Sequence, residues 1–85
     1  MTARQRIYDV AMSRNWTLAE RAERTGILGE LDEYRKDDAV LRVWFGLRGA
    51  VRKAFSREGN RDWFEYNSTR REERITRYLK TGWPS

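Results

Sequence analysis

The sequence contains no cysteine and no histidine. Without cysteine, disulfides and thiolate metal sites are excluded. Without histidine, the chain lacks the usual general base near neutral pH and the commonest metal ligand. Long hydrophobic runs are missing too. No apolar stretch approaches the roughly 20 residues of a membrane span, and there is no short hydrophobic signal-peptide core. A cytoplasmic setting without membrane association is expected on these grounds. Linkers, internal repeats and low-complexity tracts are also lacking, so residues 1–85 read as one domain.

What the chain does have is aromatic bulk and arginine. A chain this short hides only about 60–65% of its extended surface on folding, so its core needs large side chains. Four Trp, four Tyr and three Phe supply them. Net charge is +5, with fifteen Arg against three Lys, and arginine suits bidentate recognition of phosphate or carboxylate. The charge is uneven: residues 1–29 carry +2, residues 30–38 carry −3 and residues 39–85 carry +6.

The spacing of apolar residues predicts an all-α fold, a single-domain bundle of three to five helices packed around one long central helix at about 38–58. Over DAVLRVWFGLRGAVRKAFSREG, Val40, Val43, Trp44, Leu47, Val51, Ala54 and Phe55 recur at helical spacing. Asp37 or Asp38 can cap the start and Gly59 the end. A first helix is expected at 3–14 with Ala3, Ile7, Val10 and Ala11 inward. The Thr17–Glu20 capping box predicts a second from Leu18 to Thr25, burying Leu18 and Ala22, and a short third one holds Ile27, Leu28, Leu31 and Tyr34. A last helix runs from Asp62 to Thr81, or starts at Thr69 if it breaks at Asn67–Ser68. Gly82 ends it, and Pro84 forbids continuation.

The candidate binding residues follow from the faces of these helices. On the long helix, Leu41, Arg42, Phe45, Gly46, Arg48, Gly49, Arg52 and Lys53 lie away from the main apolar stripe. Two glycines inside a helix cost about 1 kcal/mol each relative to alanine and leave a flat patch that another backbone can approach. On the last helix, Trp63, Arg70, Arg74 and Arg77 form a stripe in which cations stand beside an aromatic ring. Such surfaces are enriched at protein interfaces, and they also suit nucleic acid, where cations meet phosphate and rings stack on bases. The first expectation is a non-catalytic protein that docks on a larger protein partner, or on a second copy of itself, and modulates it. The alternative is a nucleic-acid-binding regulator. No cofactor, metal or small-molecule substrate is called for: the clustered carboxylates Asp32, Glu33, Asp37 and Asp38 have no nucleophile, phosphate loop or metal-ligand spacing beside them. The segment TLAERAERTGI has the Ala22–Gly26–Ile27 spacing of half a helix-turn-helix, but Asp32 and Arg35 then fall where that motif needs apolar residues.

Overall fold

The stretch expected to be one long helix is a β-hairpin. The computed structural model describes residues 1–23, 29–46, 48–67 and 70–82. Among them, five strands form one antiparallel sheet in sequential order: β1 (Thr17–Ala22), β2 (Glu30–Lys36), β3 (Ala39–Phe45), β4 (Val51–Glu58) and the short β5 (Phe64–Glu65). Two helices, α1 (Ala3–Ser13) and α2 (Arg71–Thr81), flank the strands in sequence and pack on one face of the sheet. The all-α bundle and the helical-bundle architecture are therefore wrong.

The physical reason is visible in β3. Ala39, Leu41, Val43 and Phe45 are buried while Val40, Arg42 and Trp44 between them are half-buried, the period-two pattern of a strand. Both faces carry apolar residues, so the same letters also satisfy the helical period of three and four. Val40, Val43, Trp44, Phe45, Val51 and Phe55 are β-branched or aromatic, and such side chains pack well on a pleated surface. The glycines that are costly inside a helix fall in the β3–β4 connection instead. There Gly46 N–H donates to Ala50 O at 2.9 Å, and Gly49 stands at a φ of 75°, where a Cβ would come within 2.9 Å of the Thr2 side chain. Asp37 and Asp38, read as a helix cap, are the two-residue turn joining β2 to β3, with Asp37 at a φ of 53°. Aspartate serves both purposes because its short side chain bonds nearby backbone and tolerates left-handed φ.

The Thr17–Glu20 capping box is likewise strand, part of β1, and GELDEYRK is mostly β2. Arg24 to Leu28, Leu47, Ser68, Thr69 and the residues after Gly82 lie outside the described residues, and with them the Gly26–Ile27 turn, the capping box at Thr69 and Pro84. The first helix does form, with Ala3, Ile7 and Ala11 buried and Thr2 accepting Gln5 N–H at its N-terminus at 3.2 Å. The last one is shorter than Asp62–Thr81: Phe64 belongs to β5, and α2 buries Ile75, Tyr78 and Leu79 before Gly82, at a φ of 80°, closes it.

The core lies between the sheet and the helices. Leu41, Val43, Phe45, Tyr34 and Ala54 rise from the strands to meet Ile7, Ala11, Ile75, Tyr78 and Leu79. The helices run side by side in the same direction, since Arg6 pairs with Glu72 near their starts and Trp16, just past α1, donates to Leu79 O at 3.0 Å near the end of α2. Beneath α1, the buried Asp32 carboxylate receives Arg4 (2.7 and 3.0 Å) and Arg21 (2.9 and 3.0 Å). Burial pushes the Asp32 carboxyl up, and these four hydrogen bonds outweigh it and hold it below the ordinary range. This cluster ties α1 and β1 to β2.

Candidate functional site

The other face of the sheet has no described element packed on it. Strand register places Glu33 and Arg35 of β2, Val40, Arg42 and Trp44 of β3, and Lys53, Phe55 and Arg57 of β4 on that side. Alternation in β3 decides this: burying Leu41, Val43 and Phe45 toward the helices turns Arg42 and Trp44 outward.

Three aromatic rings gather there. Trp44 and Phe55 meet edge to face with centroids 5.7 Å apart. Trp63, just ahead of β5, is 37% exposed and lies against two guanidinium groups, with Arg57 Cζ 4.8 Å and Arg42 Cζ 5.1 Å from its ring centre. Arg42, Trp44, Phe55 and Trp63 enclose an open cavity of about 260 Å³. Below it, Glu33 accepts Arg42 Nε at 2.7 Å and Arg35 Nε at 2.8 Å. Burial raises the Glu33 carboxyl, but these hydrogen bonds reverse that and keep it below the usual carboxylate range. Arg42 is thereby held beneath Trp63 by a fixed negative charge. Across the ladder from Trp44 stands Lys53, which makes no salt bridge among the described residues.

The expected site residues divide sharply. Leu41 and Phe45 are core residues with 0% exposure, so they cannot form a docking surface; their outward assignment followed from the helical period and fails with it. Arg42, Lys53 and Trp63 do come together on the open face, although the reading by helices had assigned them to two separate elements. Gly46, Arg48 and Gly49 lie in the β3–β4 connection, and Arg52 is the extra residue of a β-bulge where Trp44 pairs with Lys53 but Phe45 with Val51. Arg70, Arg74 and Arg77 are on the helical side of the molecule. Arg70 and Arg77 each lie 3.9 Å from Glu73, and Arg74 stands over Phe64 and Tyr66. Trp44, Phe55, Arg35 and Arg57 were missed. The signal that finds Trp44, Phe55 and Arg57 is the alternation in RVW and KAFSR, where every second residue is basic or aromatic; Arg35 follows from the β2–β3 register.

A larger cleft of about 390 Å³ opens at the starts of the two helices, lined by Arg6, Arg48, Arg71 and Glu72 among others. Its polar groups are largely spent internally: Arg6 pairs with Glu72, and Arg71 donates to Tyr66 O at 2.8 Å. The carboxylates are also dispersed, Asp32 on the helical face, Glu33 on the open face, and Asp37 and Asp38 in the turn. No protein-family profile, curated protein or solved structure matches the chain.

Proposed function

We propose that this is a non-catalytic nucleic-acid-binding protein that uses the open face of its sheet. One observation carries the reading: Trp44, Phe55 and Trp63 stand on the same uncovered face as Arg42, Lys53 and Arg57. Rings offer π-faces to bases, and the cations neutralise phosphate. A cytoplasmic setting is part of the same proposal; no helix among the described residues is long and apolar enough to cross a membrane. A titration of labelled oligonucleotides, followed by fluorescence anisotropy at about 50 mM salt and repeated as salt is raised, tests it. Binding that weakens steeply with salt supports the proposal; no binding to any oligonucleotide at low salt overturns it.

Docking on a protein partner, including a second copy of the chain, is the second reading. The composition of the patch favours it, since exposed Trp beside Arg is a frequent interface hot spot, and Glu20, Glu33 and Glu65 temper the positive charge of the face. Capture of a specific partner that survives nuclease and moderate salt would favour this reading over the first.

A further inference from the structure

We infer that the ligand is a single strand and that the cavity among Arg42, Trp44, Phe55 and Trp63 seats one unstacked base of it. The inference rests on the nucleic-acid reading of this face and adds strandedness and a particular contact. The cavity, about 260 Å³, is smaller than a typical drug-sized pocket. It has room for a flat heteroaromatic ring. Its walls are apolar or π-bearing, Arg42 lines it with positive charge, and Arg57 adds a second cation against the ring of Trp63. Those are the two halves of a nucleotide: a ring to stack, and a phosphate leaving the pocket toward positive charge.

The architecture disfavours a duplex on this face. Reading the major groove takes a projecting helix or two-stranded ribbon, and both helices are on the opposite side of the sheet. What the open face presents is a recess. A base paired inside a duplex cannot enter it, whereas the bases of a single strand turn outward at little cost. The site is also organised in advance. Glu33 fixes Arg42, and Arg42 with Arg57 fixes Trp63, so few side chains need ordering when a base arrives.

The test uses the full chain with four probes: 12-nucleotide oligothymidylate, 12-nucleotide oligouridylate, and each of them paired with its complementary strand. Both single strands are expected to bind at least about tenfold more tightly than the duplexes. Trp63→Ala and Trp44→Leu, each checked for an unchanged circular dichroism spectrum, are expected to weaken single-strand binding about tenfold, as loss of a stacked base does. They should leave the dependence on salt unchanged. Arg57→Gln should flatten that dependence by about 0.7 in the log–log slope, the loss of one phosphate contact. Trp44→Leu keeps apolar volume in the sheet, and Trp63 is exposed, so the pair covers the case in which one variant misfolds. Duplexes bound as tightly as single strands would overturn the inference while leaving the face a nucleic-acid site. So would tryptophan variants that keep full affinity, or whose loss comes with a flattened salt slope. If the parent binds none of the four probes, the nucleic-acid reading itself falls, and the base pocket with it.

Discussion

Arg42 stands directly across the β2–β3 ladder from Glu33 and donates its Nε to Glu33 Oε1 at 2.7 Å. One residue back along β2, on the opposite face, Asp32 is held by Arg4 and Arg21. The two carboxylates are neighbours in sequence with the same type of partner, and their surroundings give them different weight. Asp32 is fully buried under α1, and removing its charge takes this counter-ion from Arg21 and leaves Arg4 only the more exposed Glu23 and Glu30. Breaking a buried pair costs about 3–5 kcal/mol; because Arg21 is partly exposed, about 3 kcal/mol is expected for Asp32→Asn. The arginines on Glu33 are about half exposed, so solvent screens that cluster, and Glu33→Gln should cost about 1 kcal/mol. Urea denaturation of both variants measures the difference, and equal losses would show that α1 does not shield Asp32.

The same clusters set the response to acid. Asp32 and Glu33 both have folded-state pKa values below their ordinary ones. The unfolded chain therefore takes up the protons first, and the stability these groups contribute is complete above about pH 4–5. It is lost as pH falls through the unfolded values toward the folded ones. Stability measured by denaturant from pH 7 down to pH 3 should decline mainly below about pH 4.5. The Asp32→Asn variant should lose less over that window than the parent, because one of the titrating groups is gone. An identical decline in both would remove Asp32 from the linkage.

Phe45 and Trp63 separate a helical from a strand reading of the chain. In the sheet, Phe45 has no exposure and Trp63 is 37% exposed. Phe45→Ala should cost about 3–5 kcal/mol, enough to unfold most of a domain this small. Trp63→Ala should cost less than about 1 kcal/mol, the lost contacts with Arg42 and Arg57 included. Thermal melts of the two variants decide the matter, and a near-parental melt for Phe45→Ala would contradict the strand assignment.

These residues also show how far the sequence was legible. The helices were visible because Ile7, Ala11, Ile75, Tyr78 and Leu79 follow a helical period and nothing in those segments competes with it. β3 and β4 were not, since Val40, Trp44 and Phe55 put apolar side chains on the open face as well as on the buried one. With apolar residues on both faces, periods of two and of three to four fit the same letters. Two cues pointed to the hairpin, β-branched enrichment and the Gly46–Gly49 pair, and the helical reading turned the second into a docking patch. Of the candidate site, Arg42, Lys53 and Trp63 were identified from charge beside aromatics alone. Trp44 and Phe55 were assigned inward because a helix that buries Val40 and Val43 carries them along.

The glycines give a second check on the turns. Gly29 sits at a φ of 89°, and a Cβ there would collide with the carbonyl oxygen of Phe45. Both the left-handed backbone and the backbone contact resist relief, so Gly29→Ala should cost about 3 kcal/mol or more. At Gly46 a Cβ meets only the Arg52 side chain, at 3.1 and 3.3 Å, and a flexible side chain can move. Gly46→Ala should therefore change stability by less than about 1 kcal/mol. If the order is reversed in chemical denaturation, the close approach of β2 to the end of β3 is wrong.

Two buried tyrosines differ in what their hydroxyls meet. The Tyr66 hydroxyl shares a 3.0 Å hydrogen bond with Ser56 Oγ, whereas the Tyr34 hydroxyl, equally buried, has no hydrogen-bond partner among the described residues. Burial pushes both phenols up, Tyr66 to about 12, so neither ionises near neutral pH. A buried hydroxyl without a partner forfeits its hydration, about 1–3 kcal/mol, and returns nothing. Tyr34→Phe removes that group and keeps the ring against the core, so stability should stay level or rise by up to about 1 kcal/mol. Tyr66→Phe strands the Ser56 hydroxyl instead and should cost about 1 kcal/mol. Urea midpoints of the two variants give opposite signs if the assignment is right. A loss above about 1 kcal/mol for Tyr34→Phe would mean that its hydroxyl is hydrogen-bonded after all, with Arg21 of the neighbouring cluster the group to examine first.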